Sequence, residues 1–158
     1  METQWSREEM LLGPGGLERL RGAHVAVFGV GGVGSYVAEA LARAGVGAIT
    51  LVDHDVVSVS NLNRQLVALH STLGQYKTDV MAARIRDIQP DCRVTAIREF
   101  YTEENKEQFF ALGFDYIADC IDSVSSKLSL IQTALSRGVP ILSSMGTGNR
   151  LDPSKFVI

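Results

Sequence analysis

The chain has 158 residues, of which 46% are hydrophobic and 21% charged, and its formal net charge is −3. A chain of this length can bury roughly 70% of the surface its unfolded form would expose in one globular core. Its near-average composition excludes a disordered chain, and its slight acidic excess argues against strong nucleic-acid binding by this segment alone, though not against a local basic face.

Ser6-Arg7-Glu8-Glu9 has the form of a capping box and predicts a helix, or a pair of helices, through Leu20, interrupted at Gly13-Pro14-Gly15-Gly16. His24-Val25-Ala26-Val27-Phe28 is a compact apolar run that ends in glycines, the pattern of a strand buried on both faces. It feeds the turn Gly29-Val30-Gly31-Gly32-Val33-Gly34. Val37, Ala40, Leu41 and Ala44 then form one apolar helical stripe, with Gly45 as its stop. Ala48-Ile49-Thr50-Leu51-Val52 is the second strand. Strand, glycine turn, helix and strand within about thirty residues raise the glycine motif above chance.

Met81, Ile85 and Ile88 mark a further helix, stopped by Pro90, and Val94 to Ile97 a third strand. Thr102-Glu103-Glu104 predicts a helix start whose acidic residues suit the helix dipole. Asp115 to Asp119 and Ile141-Leu142-Ser143 read as two more strands, with a helix near Ser125 to Arg137 between them. This alternation predicts an α/β fold, Rossmann-like and doubly wound, with a mainly parallel sheet and helices on both faces. Lys155-Phe156-Val157-Ile158 reads as the start of another element, so residues 1–158 are expected to be the N-terminal portion of a longer protein.

Cys92 and Cys120 are the only cysteines, and they lack metal-ligand spacing, so no disulfide framework or closed zinc site is indicated. A reducing, cytoplasmic setting fits. The polar start (Glu2, Glu8, Glu9) carries no export signal, and no apolar run approaches the ~18 residues of a membrane span. No membrane contact is expected.

Gly29 permits the tight turn, Gly31 and Gly32 allow backbone to approach phosphate, and Gly34 lets helix and strand pack closely. The turn suits either a dinucleotide or ATP. A pyrophosphate carries about two negative charges, which helix N–H groups largely satisfy; a triphosphate carries about four and should recruit metal and cationic side chains as well. Glu39 is the first acidic residue after the turn. Asp53, closing the second strand, is placed to accept hydrogen bonds from ribose hydroxyls, and Asp55 is a second carboxylate that equally fits loop surface. His54 and His70 have no metal-like spacing. Asn61, Arg64 and Gln65 lie in the loop beyond the second strand, at the edge where open α/β sheets bind ligands; a phosphate site and a polar surface loop both fit them. Arg64 and Lys77 are the candidates for the extra cationic load.

Gly29 to Gly34, Asp53, Asn61-Leu62-Asn63-Arg64-Gln65, Gly74-Gln75-Tyr76-Lys77 and Asp119-Cys120-Ile121-Asp122 together resemble the E1-like (ThiF/MoeB) adenylating superfamily in order and spacing. The resemblance covers nearly the whole chain. It implies a single ATP-binding adenylation domain in which Asp53 binds ribose, Asn61, Arg64, Gln65 and Lys77 address the triphosphate, and Asp122 holds Mg²⁺. Ser123 stands where the family often has Asn. Trp5-Ser6-Arg7 resembles the segment by which such homodimers pass an arginine, here Arg7, into the partner's site.

Asn61-Leu62-Asn63-Arg64-Gln65-Leu66, Leu69-His70-Ser71-Thr72 and Ser143 to Pro153 resemble most the branch that cyclises N6-threonylcarbamoyladenosine at position 37 of tRNA. The resemblance thus implies an enzyme that uses ATP and Mg²⁺ to adenylate a carboxylate and then closes a ring with loss of water, without a cysteine nucleophile. Its substrate would be tRNA, and a sulfur-transfer protein is a further implied partner. The nearest alternative is adenylation of the C-terminus of a ubiquitin-like sulfur carrier. Readings of another class are an NAD-dependent oxidoreductase, which leaves Arg64, Lys77 and Asp122 unexplained, and a non-catalytic nucleotide-binding module.

Overall fold

The computed structural model describes residues 3–146 and residue 152. Residues 147–151 and 153 of the Ser143 to Pro153 block lie outside the described residues, as does the apolar run at 155–158. The elements run α1 (Ser6–Gly22), β1 (His24–Phe28), α2 (Gly34–Arg43), β2 (Ala48–Val52), α3 (Lys77–Ile88), β3 (Arg93–Ile97), α4 (Lys106–Phe110), β4 (Tyr116–Asp119), α5 (Val124–Ser136) and β5 (Ile141–Ser143), with short 3₁₀ turns at Val59–Asn61 and His70–Thr72.

All five strands are parallel and lie in the order β3-β2-β1-β4-β5. β1 therefore sits at the centre, flanked by β2 and β4. Their register sets Phe28 opposite both Val52 and Asp119, so the three strand ends open at one edge. The period of two sorts β1 between two cores. Val25 and Val27 pack with Ile49 and Leu51 against Ala38 and Ala42 of α2 and Met81 and Ile85 of α3. Ala26 and Phe28 face the other way, into Tyr101, Phe109, Ile117, Leu130 and Ala134. The expected doubly wound sheet is the observed one.

The helices depart from expectation in detail. Ser6 does not act as a cap: Trp5 precedes the helix without a side-chain cap, and Ser6 Oγ accepts from Thr3 N at 2.8 Å. Because that amide comes within reach, the hydroxyl closes the preceding turn instead. The interruption in α1 falls at Gly13, whose φ is 69°. In α2 the buried line runs through Ala38 and Ala42, with Val37 and Leu41 beside it and Ala40 exposed. Small residues occupy the closest approach to the sheet, so the larger ones flank it. Gly45 ends the helix as expected, with φ 85° and bonds from Gly45 N to Ala42 O (3.2 Å) and from Val46 N to Leu41 O (3.1 Å). α4 begins at Lys106 rather than Thr102. The Asn105 side chain accepts from Thr102 N and donates to Phe100 O, both at 2.8 Å, and so holds the chain in a turn before the helix can start.

Among the described residues, no helix is long and apolar enough to cross a membrane.

Candidate functional site

The diverging ends of β1, β2 and β4 border a cavity of about 500 Å³. It lies outside the carboxyl edge of the sheet, where the strand order reverses around β1. Its floor is the glycine turn. Gly29 has φ 87°, and an added Cβ there would stand 2.7 Å from the carbonyl oxygen of Cys120. At Gly34 the added atom would lie 1.7 Å from Gly29 O. The turn and the start of α2 are thus folded as closely as bare backbone permits, and Gly31, Gly32 and Val33, which lead into α2, line phosphate-sized space with their backbone. Ser35 secures that terminus, since its hydroxyl donates to Gly31 O at 2.6 Å.

Asp53 connects the end of β2 to this turn. Its Oδ2 accepts from Val30 N at 2.7 Å and its Oδ1 from Asp55 N at 2.8 Å. Two backbone donors therefore fix the carboxylate at the cavity wall, and it retains acceptor capacity for two hydroxyls. Asp55 itself does not line the cavity. Its Oδ2 accepts from Lys77 Nζ at 2.6 Å, while its backbone oxygen accepts from Lys77 N at 3.0 Å. Lys77 is the first residue of α3, only 4% exposed, and reaches the cavity. Asp55 places this lysine and leaves it with two further donors.

The loop after β2 brings Arg64 and Gln65 to the cavity but not Asn61. Asn61 is buried beneath the loop: its Oδ1 accepts from Ser58 N at 3.1 Å, and its carbonyl accepts from Arg64 N at 3.1 Å and Gln65 N at 3.0 Å. It builds the turn that presents its two neighbours. Arg64 Nη1 donates to Ser60 O at 2.9 Å and Asn63 Oδ1 at 3.0 Å, which leaves Nε and Nη2 without partners among the described residues. Gln65 is 8% exposed, lines the cavity, and its Oε1 has no hydrogen-bond partner among the described residues. Buried polar atoms are normally paired, so this one marks a position for a ligand group.

Asp122 lines the opposite wall, in the loop after β4, with an exposed carboxylate that has no hydrogen-bond partner among the described residues. A free, hard oxygen donor beside phosphate-sized space fits Mg²⁺, which takes one or two carboxylates and completes its shell with phosphate and water. Asp53, His54 and Asp55 also bring ligand atoms within 4.8 Å of one another. Their oxygens are already engaged by backbone amides and Lys77, so that trio is the weaker metal site. Arg7 is exposed in the first turn of α1 and does not line the cavity.

Sequence reasoning missed the far wall. His54, Glu99, Phe100 and Tyr101 complete it after β2 and β3, and the rings of His54 and Phe100 meet edge-on at 5.0 Å between centroids. Only the aromatic pair directly after the third strand could have signalled this. Cys120 also borders the cavity, but burial, with the nearby Asp119 charge, pushes its thiol up to about 11. It is poorly suited to act as a nucleophile at neutral pH.

A five-stranded parallel sheet with a glycine turn, a clamped strand-end carboxylate and two cations around one switch-point cavity defines a Rossmann-like α/β protein built for a phosphorylated ligand. The chain belongs to the ThiF family, whose model matches residues 5–156. It is 55% identical over 158 residues to the tRNA threonylcarbamoyladenosine dehydratase of Bacillus subtilis, covering 100% of this chain and 62% of that protein. Identity to the Escherichia coli protein described in the same words is 45% over 148 residues, covering 94% of this chain and 55% of that one. The crystal structure of the E. coli dehydratase, TcdA, in complex with ATP matches 96% of this chain and 62% of its own at 44% identity, with a TM-score of 0.93. The chain thus spans about three-fifths of the length of these relatives. The adenylyltransferase and sulfurtransferase uba4 of Aspergillus niger is more distant, 35% identical over 133 residues, or 84% of this chain and 27% of that protein.

Proposed function

We propose that residues 1–158 form the ATP-binding adenylation domain of an enzyme that cyclises N6-threonylcarbamoyladenosine in tRNA. The observation that carries the ATP assignment is the meeting of Arg64 and Lys77 across one cavity with the glycine turn, because a dinucleotide site needs neither cation. Similarity across the whole chain to tRNA threonylcarbamoyladenosine dehydratases supports the substrate.

Asp53 accepts from the ribose hydroxyls, and the backbone of Gly31 to Val33, before α2, meets the phosphates. Lys77 and the free edge of Arg64 hold the β- and γ-phosphates as negative charge moves onto the leaving pyrophosphate. A substrate carboxylate oxygen bonds to the α-phosphorus while the bond to pyrophosphate breaks, which leaves an acyl-adenylate. A nucleophile of the same substrate side chain then attacks that carbonyl carbon and expels AMP, so the ring closes with net loss of water. Asp122 is the residue that holds Mg²⁺, which when bound supplies further neutralisation of phosphate charge. Two such chains form a homodimer in which Arg7 completes the partner's site. The exposed Met10, Leu11 and Leu12 next to it suit a protein contact.

ATP and NAD titrated with and without Mg²⁺ test the nucleotide: tighter ATP binding with metal is expected, and tighter NAD binding without it overturns the reading. The substrate is tested by incubating the protein with ATP, Mg²⁺ and modified tRNA, then weighing the nucleosides. Loss of one water mass is expected. No loss, together with adenylation of a sulfur-carrier C-terminus, would favour the uba4-like reading.

A further inference from the structure

Asp119 is completely buried at the end of β4, and a lone charge there would be expensive. Lys127, in the first turn of α5, supplies its counter-charge. Lys127 Nζ donates to Asp119 Oδ2 at 2.6 Å, to Ser143 Oγ at 3.1 Å and to Ser144 O at 3.0 Å, so all three of its hydrogens have acceptors. Ser143 Oγ donates to Asp119 Oδ2 at 2.6 Å. The other carboxylate oxygen accepts from Ile121 N at 3.0 Å, and Ser144 N donates to Asp119 O at 2.9 Å.

One ammonium thus ties together the end of β4, the start of α5 and the end of β5. Lys127 itself does not line the cavity, yet the two segments it joins both do: Cys120 to Asp122 on one side and Ser144 to Gly146 on the other. A well-packed apolar cluster would stabilise the same junction at least as well as a buried ion pair. What the lysine adds is direction, because its three donors fix three acceptors on two segments at once.

We propose that Lys127 is a positioning residue of the nucleotide site, setting Asp122 and the 144–146 backbone at their distances from the glycine turn. This inference rests on the reading of the cavity as an ATP and Mg²⁺ site. Groups that orient metal-holding residues change affinity by about ten- to a hundredfold when removed.

The test compares the wild-type chain with Lys127→Met, Lys127→Arg and Ser143→Ala. Amide hydrogen exchange is read at Ile121 and Ser144 without nucleotide, and ATP affinity is read with and without Mg²⁺. In Lys127→Met, exchange at both amides should rise about tenfold or more, and the gain in ATP affinity from Mg²⁺ should fall about tenfold, while metal-free affinity holds within about twofold. Lys127→Arg should recover most of the gain, and Ser143→Ala should lose part of it. Should Lys127→Met not fold, Ser143→Ala reads the same quantities, and no change in either overturns the proposal. An equal loss of affinity with and without metal also overturns it, since that marks general destabilisation. A wild-type chain showing no Mg²⁺ gain overturns the ATP and Mg²⁺ reading itself, and this inference with it.

Discussion

Two glycines of one turn serve different purposes, and substitution separates them. A methyl at Gly34 would meet the backbone oxygen of Gly29, which cannot swing away, so Gly34→Ala should lower stability by roughly 1–3 kcal/mol and shift the thermal midpoint down. At Gly31 the nearest atom to an added Cβ is Gln65 Nε2 at 3.6 Å, an ordinary contact. Gly31→Ala should therefore keep its midpoint yet bind ATP more weakly, because the methyl occupies the cavity wall; an unchanged ATP affinity would show that phosphate does not approach there. Cys120 gives a second test. Its thiol is held up at about 11, so alkylation by iodoacetamide should be slow at pH 8 and keep rising with pH towards that value. A rate that levels off near pH 8 would contradict the burial argument. At this scale the sequence was legible in placement: Gly29, Gly31, Gly32 and Asp53, residue types with few other uses beside such a turn, stand around one cavity. Asp55 and Asn61, whose residue types fit a ligand group and a loop equally, stand one layer behind the cavity, holding Lys77, Arg64 and Gln65. Nothing in their identity separates holding a ligand from holding a neighbour.

At the scale of elements, the joint between α2 and α3 is electrostatic as well as apolar. Glu39 pairs with Arg43 on its own helix at 2.6 Å and with Arg84 on α3. Arg84, more than the opposing cost of burial and then Arg43, holds the Glu39 carboxyl below its usual range. A lowered folded-state pKa means that this contribution is present above the unfolded value near 4.5 and is lost as pH falls below it. Arg84 is 42% exposed, so solvent screens the pair, and Glu39→Gln should cost only about 0.5–1 kcal/mol at neutral pH. In denaturant titrations the gap between wild type and variant should close as pH drops below 4.5. A gap of constant size would assign the effect to packing. Apolar runs located the strands of the described residues, and apolar stripes located α2 and α3, because burial writes itself into spacing. Helix starts and faces were less legible: neighbouring backbone groups compete for the side chains that would cap, Thr3 for Ser6 and Thr102 and Phe100 for Asn105, and the sheet selects Ala38 and Ala42 as the buried line.

For the whole molecule, parallel strands joined by right-handed crossovers allow few arrangements, which is why alternating elements foretold the sheet. The same topology gathers the ends of β1, β2 and β4 and so collects residues from Gly29 to Gly146 around one cavity. The aromatic wall at Phe100 and the Asp119–Lys127 junction were hidden because each joins parts of the chain that only the fold makes neighbours. Charge sets a limit on what these residues do alone. Tight tRNA binding draws on several phosphate contacts and weakens steeply with salt, while this chain carries a net charge of −3. The 158-residue chain should therefore bind ATP with saturation while its tRNA affinity at physiological salt stays in the nonspecific range, on the order of 10⁻⁴ to 10⁻⁶ M. Fluorescence anisotropy with labelled tRNA checks this. A tRNA complex much tighter than that range would place the docking surface within residues 1–158, and its loss on reversing single basic residues of α1, such as Arg19 or Arg21, would locate it beside the arginine proposed to enter the partner's site.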